Sequence, residues 1–197
     1  MDRTNPPPPR RLSAAILRAY LAVVESRGRS AAVRARLGPE AAKLFDAPPL
    51  QTSWCDADLM LEIYRAIADA GGRDELRQVS YEAMKGPLGR TLRALLGGTI
   101  ALYGRSPAEF LSHLDAITQV VLREVTAVYL PVTETSGIVE LRYRGPAPEV
   151  SIIVWEGIIQ WFLEQVAPEG EALRAEVLAG GHTIRVPVRW PAASTDE

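Results

Sequence analysis

Few residues in this chain could do covalent or metal chemistry, and they are scattered. Its two histidines, His113 and His182, lie far apart, with no second histidine or cysteine beside either. No CxxC, HExxH or calcium-loop spacing occurs, so the ligand sets that hold zinc or calcium are not written here. The single cysteine, Cys55, is flanked by Asp56 and Asp58. Negative charge there raises a thiol pKa, which opposes activation. Asp56 reads more simply as a helix N-cap. No serine sits in a GxSxG elbow. Carboxylate pairs such as Glu164 and Glu169 look like solvated faces. Gly97-Gly98 and Gly180-Gly181 lack the strand–helix setting of a phosphate loop. The first pair is expected to let two backbones approach closely, the second to turn a hairpin. With no acid, base and nucleophile joined, a non-catalytic protein is the expectation.

The bulk composition is that of a globular domain. The chain has 197 residues, 47% hydrophobic and 23% charged, with a net charge of −2. That length suits one domain. The charge balance gives no basic footprint for nucleic acid. Charges interrupt every apolar stretch before the length of a membrane span, and no signal-type run follows Arg10 and Arg11. One cysteine allows no internal disulfide, so a cytoplasmic location is expected.

These residues must be positioned by an α/β (α+β) fold with a helical N-terminal half. Residues 1–11 hold four consecutive prolines and read as a disordered tail, or as a ligand for a proline-recognition domain. Residues 192–197 read as a frayed end. Between them, 12–191 read as one globular domain, helical over 12–127 and then hairpin–helix–hairpin over 128–191. Leu12, Ile16, Ala19, Tyr20 and Val23 repeat at helical spacing, and Gly28 can end that helix. Ser30 can cap a short helix, and Gly38-Pro39-Glu40 starts another. Trp54 to Asp58 is expected to open a longer helix with Leu59, Ile63 and Ile67 buried, stopped by Gly71-Gly72. Gly86-Pro87 starts a helix carrying Leu92, Leu96 and Ile100. Ser106-Pro107-Ala108-Glu109 predicts a helix from Pro107 to about Val125.

Beyond it, Val128 to Val132 and Ile138 to Tyr143 alternate as a hairpin, with Pro131 marking an edge or bend. Ala172 to Leu178 and Thr183 to Trp190 read as a second hairpin. The expected sheet thus has about four antiparallel strands, packed with a long apolar helix over Ile152 to Val166. On that helix Trp155, Ile158, Ile159 and Phe162 form one stripe, while Val154 and Trp161 point elsewhere. A helix apolar on two sides must be buried on two sides. The plain reading is a core helix on the sheet. The sharper one gives Val154, Trp155, Ile158, Trp161 and Phe162 to another subunit or a lipid-like ligand.

The order Phe110 to Thr118, then Glu140 to Arg144, then a helix with Glu156-Gly157, resembles the heme-nitric-oxide/oxygen-binding (H-NOX) sensor domains. It is also similar to the vinyl-reductase-type and TRAPP-like domains. The whole chain further resembles a myxobacterial family of domains of unknown function, with a glycine-bearing helix like Arg93 to Tyr103 and a last strand ending at Trp190. In the heme sensors a leucine–aspartate pair is followed, three residues after the aspartate, by the iron-ligating histidine. A Tyr-x-Ser-x-Arg strand end then holds the propionates. Here the pair is Leu114-Asp115 and the ligand position is Thr118. Tyr143 matches, but Gly145 and Ala147 replace the serine and arginine. Threonine is not a usual axial ligand, so the resemblance implies the fold while no heme or other cofactor is expected.

Two functions lead the expectations, with an uncharacterised enzyme, which would need a pocket bringing Asp, Glu or His together, as the third. The first is a signalling or scaffold module that binds a protein partner or a second copy of itself. The second is a sensor of a hydrophobic small molecule, in a pocket drawn from Leu96, Ile100, Leu114, Ile117, Thr118, Val121 and Tyr143.

Overall fold

The computed structural model describes residues 11–103, 106–123 and 125–192, without the side chains of residues 91, 95, 96 and 99–103. The proline-rich stretch up to residue 10 and the last five residues lie outside the described residues.

The chain enters as a short strand, β1 (Arg11–Ser13), which pairs antiparallel with β2 (Trp54–Asp56). Both segments were expected to be helical. Their backbone groups find partners across 40-odd residues of chain, a non-local pairing that periodicity does not reveal. Helix α1 (Ala14–Ser26) therefore starts later, capped by Ser13, whose Oγ accepts the Ala15 N–H at 3.3 Å. Gly28, at φ 65°, ends it. Helices α2 (Ser30–Arg34) and α3 (Pro39–Asp46) follow. Arg29, not Ser30, stands at the N-cap of α2, with no side-chain bond.

Asp56 caps α4 (Ala57–Ala83), accepting from the Asp58 N–H at 2.8 Å. Gly72, at φ 86° and ψ 179°, breaks this helix without a loop. The buried stripe is Met60, Ile63, Tyr64 and Ile67; Leu59 is only partly buried. Helix α5 (Pro87–Tyr103) comes next. The single helix expected from Pro107 is two, α6 (Pro107–Ser112) and α7 (Leu114–Val121), broken at His113. The break frees Asp115 to accept the Ala127 N–H at 2.8 Å, a bond to the next element.

The sheet is antiparallel. Strands β3 (Val125–Thr133) and β4 (Ser136–Tyr143) form the first hairpin, with Val125 opposite Tyr143. Helix α8 (Glu149–Glu164) crosses over, and β5 (Glu171–Ala172), β6 (Glu176–Val177) and β7 (Thr183–Arg189) follow. The order is β3-β4-β7-β5, with β6 also on β7, making five strands. Pro131 lies on the edge strand at a register shift, where its missing N–H costs nothing. Gly180 and Gly181, at φ 101° and 73°, turn the second hairpin.

The core fills both sides of α8. Val139, Leu141, Ile184, Val186 and Val188 face it from the sheet, and α4 packs on its other side. Gly157 makes that helix crossing close: a Cβ there would sit 2.8 Å from Ser80 Cβ and 2.9 Å from Tyr81 N, and nearer still to the Arg77 carbonyl. Gly97 and Gly98 do not mediate a close approach, because a Cβ at either meets nothing within 4 Å.

Candidate functional site

The first strand, the helices and one end of the β3–β4 hairpin leave an open apolar cleft with a free volume of about 90 Å³. Leu12 and Ile16 form one side. Met60, Leu61 and Tyr64 come from the first arm of α4, where three- and four-residue spacing puts them on one face. Met84, Leu88 and Leu92 continue at intervals of four across the Gly86-Pro87 junction. Val154, Trp155, Ile158 and Phe162 close the far wall as a stripe of α8. The lining, though not the free volume, is that of a small-molecule pocket, mostly apolar with few polar groups.

The polar groups are few and specific. Trp155 Nε1 donates to the Tyr143 hydroxyl at 2.7 Å. Tyr64 packs its ring 4.8 Å from that of Tyr20, and burial pushes its hydroxyl pKa well above the ordinary value. Thr118 is buried, and its Oγ1 donates to the Leu114 carbonyl at 2.9 Å, one turn back in α7. Arg123 and Arg144 are exposed at the rim.

Of the residues expected to form a pocket, Thr118, Val121 and Tyr143 do line the cleft. Leu114 and Ile117 are buried but are not among its lining. The side chains of Leu96 and Ile100 lie outside the described residues. The five residues offered for a partner surface need correction. Val154, Trp155, Ile158, Trp161 and Phe162 are all buried by the chain itself, Trp161 to 1% exposure. The two apolar sides of α8 are explained by α4 and the sheet, and four of the five line the cleft. Missed altogether were Leu12, Met60, Leu61, Met84 and Leu88. Nothing in a helical stripe separates a cavity wall from a filled core.

Two buried carboxylates were also missed as such. Glu156 of α8 pairs with Arg73 and accepts the Ala175 N–H at 2.7 Å, tying α4, α8 and the chain before β6. Glu140 pairs with Arg142 at 2.6 Å and Arg185 at 2.8 Å. The hydrogen bond from Arg142, then that from Arg185, hold its carboxyl below the usual range against the opposing effect of desolvation. Cys55 is buried, with its Sγ 3.4 Å from the Leu12 carbonyl. Burial raises its thiol pKa, and Asp56 adds to the rise. Among the described residues no three His, Cys, Asp or Glu side chains gather as a metal site, and no helix is long and apolar enough to cross a membrane.

Solved structures similar to this chain are H-NOX domains. One, from a study of heme distortion in that family, is 14% identical, with a TM-score of 0.64, covering 94% of this chain and 98% of that one. An oxygen-binding H-NOX domain related to soluble guanylate cyclases, in its oxygen complex, is 14% identical, with a TM-score of 0.60 and the same coverage. An Fe(II) unliganded H-NOX variant from K. algicida is 11% identical, with a TM-score of 0.65, covering 94% of this chain and all of that one. No protein-family model and no curated protein matches the chain. The likeness shows that the chain has the H-NOX fold, a mixed architecture of helices and antiparallel sheet.

The residues present do not reproduce the heme site that the resemblance implies. A hydroxyl stands at the ligand position, and it is already bonded to its own helix. Gly145 and Ala147 offer no side-chain donor where the serine and arginine are implied.

Proposed function

We propose that this protein is a sensor module that holds a hydrophobic small molecule in the cleft between α4, α5, α7 and α8. The observation that carries this reading is an open cleft lined almost wholly by apolar side chains, in a chain otherwise well packed. Its walls come from elements far apart in sequence, so an occupant would tie them together. That linkage is how a bound ligand shifts a conformational equilibrium. Shape and burial would hold the ligand, with no metal–ligand bond.

A protein scaffold has less support. The α8 residues that suggested it are covered within the chain, so a partner must use another surface.

The test is titration with Nile red, a neutral apolar dye, together with native mass spectrometry of freshly purified protein. Nile red fluorescence should rise and saturate at one dye per chain. Val154→Phe, which pushes a larger side chain into the cleft, should weaken that binding at least tenfold while far-UV circular dichroism stays unchanged. No saturable binding, or undiminished binding to a folded Val154→Phe, refutes the reading.

A further inference from the structure

The cleft is apolar along its length but not uncharged at its end. Its lining holds two ionic side chains, both cationic, Arg123 and Arg144, and no Asp or Glu among the described residues. The chain as a whole is slightly acidic, so this one-sided charge does not follow from composition. The register of the hairpin puts the two arginines at one end of the sheet. Val125 pairs with Tyr143, so Arg123 just before β3 and Arg144 just after β4 leave the same end of the ladder.

Neither arginine has a carboxylate within 4.0 Å among the described residues. Other arginines do: Arg34 pairs with Asp46, Arg142 with Glu140 and Arg189 with Glu171. Arg123 instead stands over the Trp54 ring at 4.5 Å. Stacking holds a guanidinium in place while leaving its in-plane N–H donors free, a geometry suited to a carboxylate. Glu149, the first residue of α8, is exposed and not part of the lining.

Resting on the cleft reading above, we infer that the occupant is an apolar molecule ending in a carboxylate, with its body between α4 and α8 and its head at Arg123 and Arg144. An uncharged hydrocarbon would offer no acceptor to the N–H groups of either cation. A cationic amphiphile would meet like charge at the mouth.

Competition against Nile red on the full chain tests this. Oleate and oleyl alcohol share a chain and differ in the head. Below its micelle threshold, oleate should displace the dye at about tenfold lower concentration than oleyl alcohol, the scale of a charge-assisted hydrogen bond at a partly exposed site. The Arg123→Gln/Arg144→Gln double variant should lose the preference, read as the ratio of oleate to oleyl alcohol displacement within that variant. Protoporphyrin IX against its dimethyl ester, run the same way, tells a flat dicarboxylate from a chain acid. Equal displacement by oleate and oleyl alcohol, with protoporphyrin matching its ester, overturns the inference while the cleft reading stands. So does a preference that survives in the double variant. Absence of Nile red binding overturns both.

Discussion

Replacing Gly157 by alanine sets two effects against each other. In a helix interior, alanine is favoured over glycine by about 1 kcal/mol. That alone predicts a more stable protein. The structure predicts the reverse. The new Cβ would lie 2.8 Å from Ser80 Cβ and 2.9 Å from Tyr81 N, closer than real Cβ contacts come, and closer still to the Arg77 carbonyl. Two of these three groups are backbone of α4 and cannot rotate away. Overpacking of this kind costs roughly 1–3 kcal/mol and more where backbone must shift. Taking the upper end and subtracting the propensity gain leaves a loss of about 2 kcal/mol, or a melting temperature lower by about 4–8 °C for a chain of this size. Urea titration followed by far-UV circular dichroism reads the change, with an unaltered m-value showing that the unfolded state is the same. Gly98→Ala is the internal control. It is an exposed position in α5 where a Cβ meets nothing within 4 Å, so it should gain about 0.5–1 kcal/mol. A Gly157→Ala protein as stable as its parent, or more stable, would refute the close crossing of α4 and α8. Because α8 carries Val154, Trp155 and Ile158, the same variant should weaken Nile red binding.

Three further outcomes are expected. Glu140→Gln should flatten the acid side of the stability curve. The folded carboxyl is held below its ordinary pKa of about 4.3, so the stabilisation is present above that value and fades as pH falls through the lower folded pKa; an unchanged acid midpoint would count against the Arg142–Glu140–Arg185 cluster. Glu156→Ala should cost about 1–3 kcal/mol, because the Ala175 N–H loses its acceptor in a buried setting, as a denaturant melt would show. Tyr143→Phe should alter Trp155 emission and cost about 1 kcal/mol by removing the acceptor of its N–H; identical near-ultraviolet circular dichroism would argue that this bond is absent in solution.

Much of the architecture was legible in the sequence because it rests on local chemistry. Gly28, the Gly38-Pro39 pair, Asp56 and the Ser106-Pro107 start act through their own φ angles or nearest N–H groups, and each sits where it was expected. Alternation in Val139, Leu141, Ile184 and Val186 likewise set the inner face of the sheet, since side-chain direction in a strand follows from position alone. The family likeness was readable from Leu114-Asp115, Tyr143 and Glu156-Gly157, and with it the threonine where the sensors place histidine.

Everything that depends on who lies opposite required the tertiary structure. Leu12 and Trp54 belong to a strand pair because their partners lie across the chain, and no window of residues contains both. Gly97-Gly98 and Gly157 look alike as helical glycines, yet only Gly157 faces another backbone. Trp161 and Trp155 read equally well as a partner surface until α4 and the sheet are seen to cover them. The cleft is the clearest case. An apolar stripe states that a side chain avoids water; whether another side chain or a ligand meets it is a property of the space left between helices. Sequence therefore determined the mixed architecture of helices and antiparallel sheet, while the packing of α4, α5, α7 and α8 decided where a cleft is left between them.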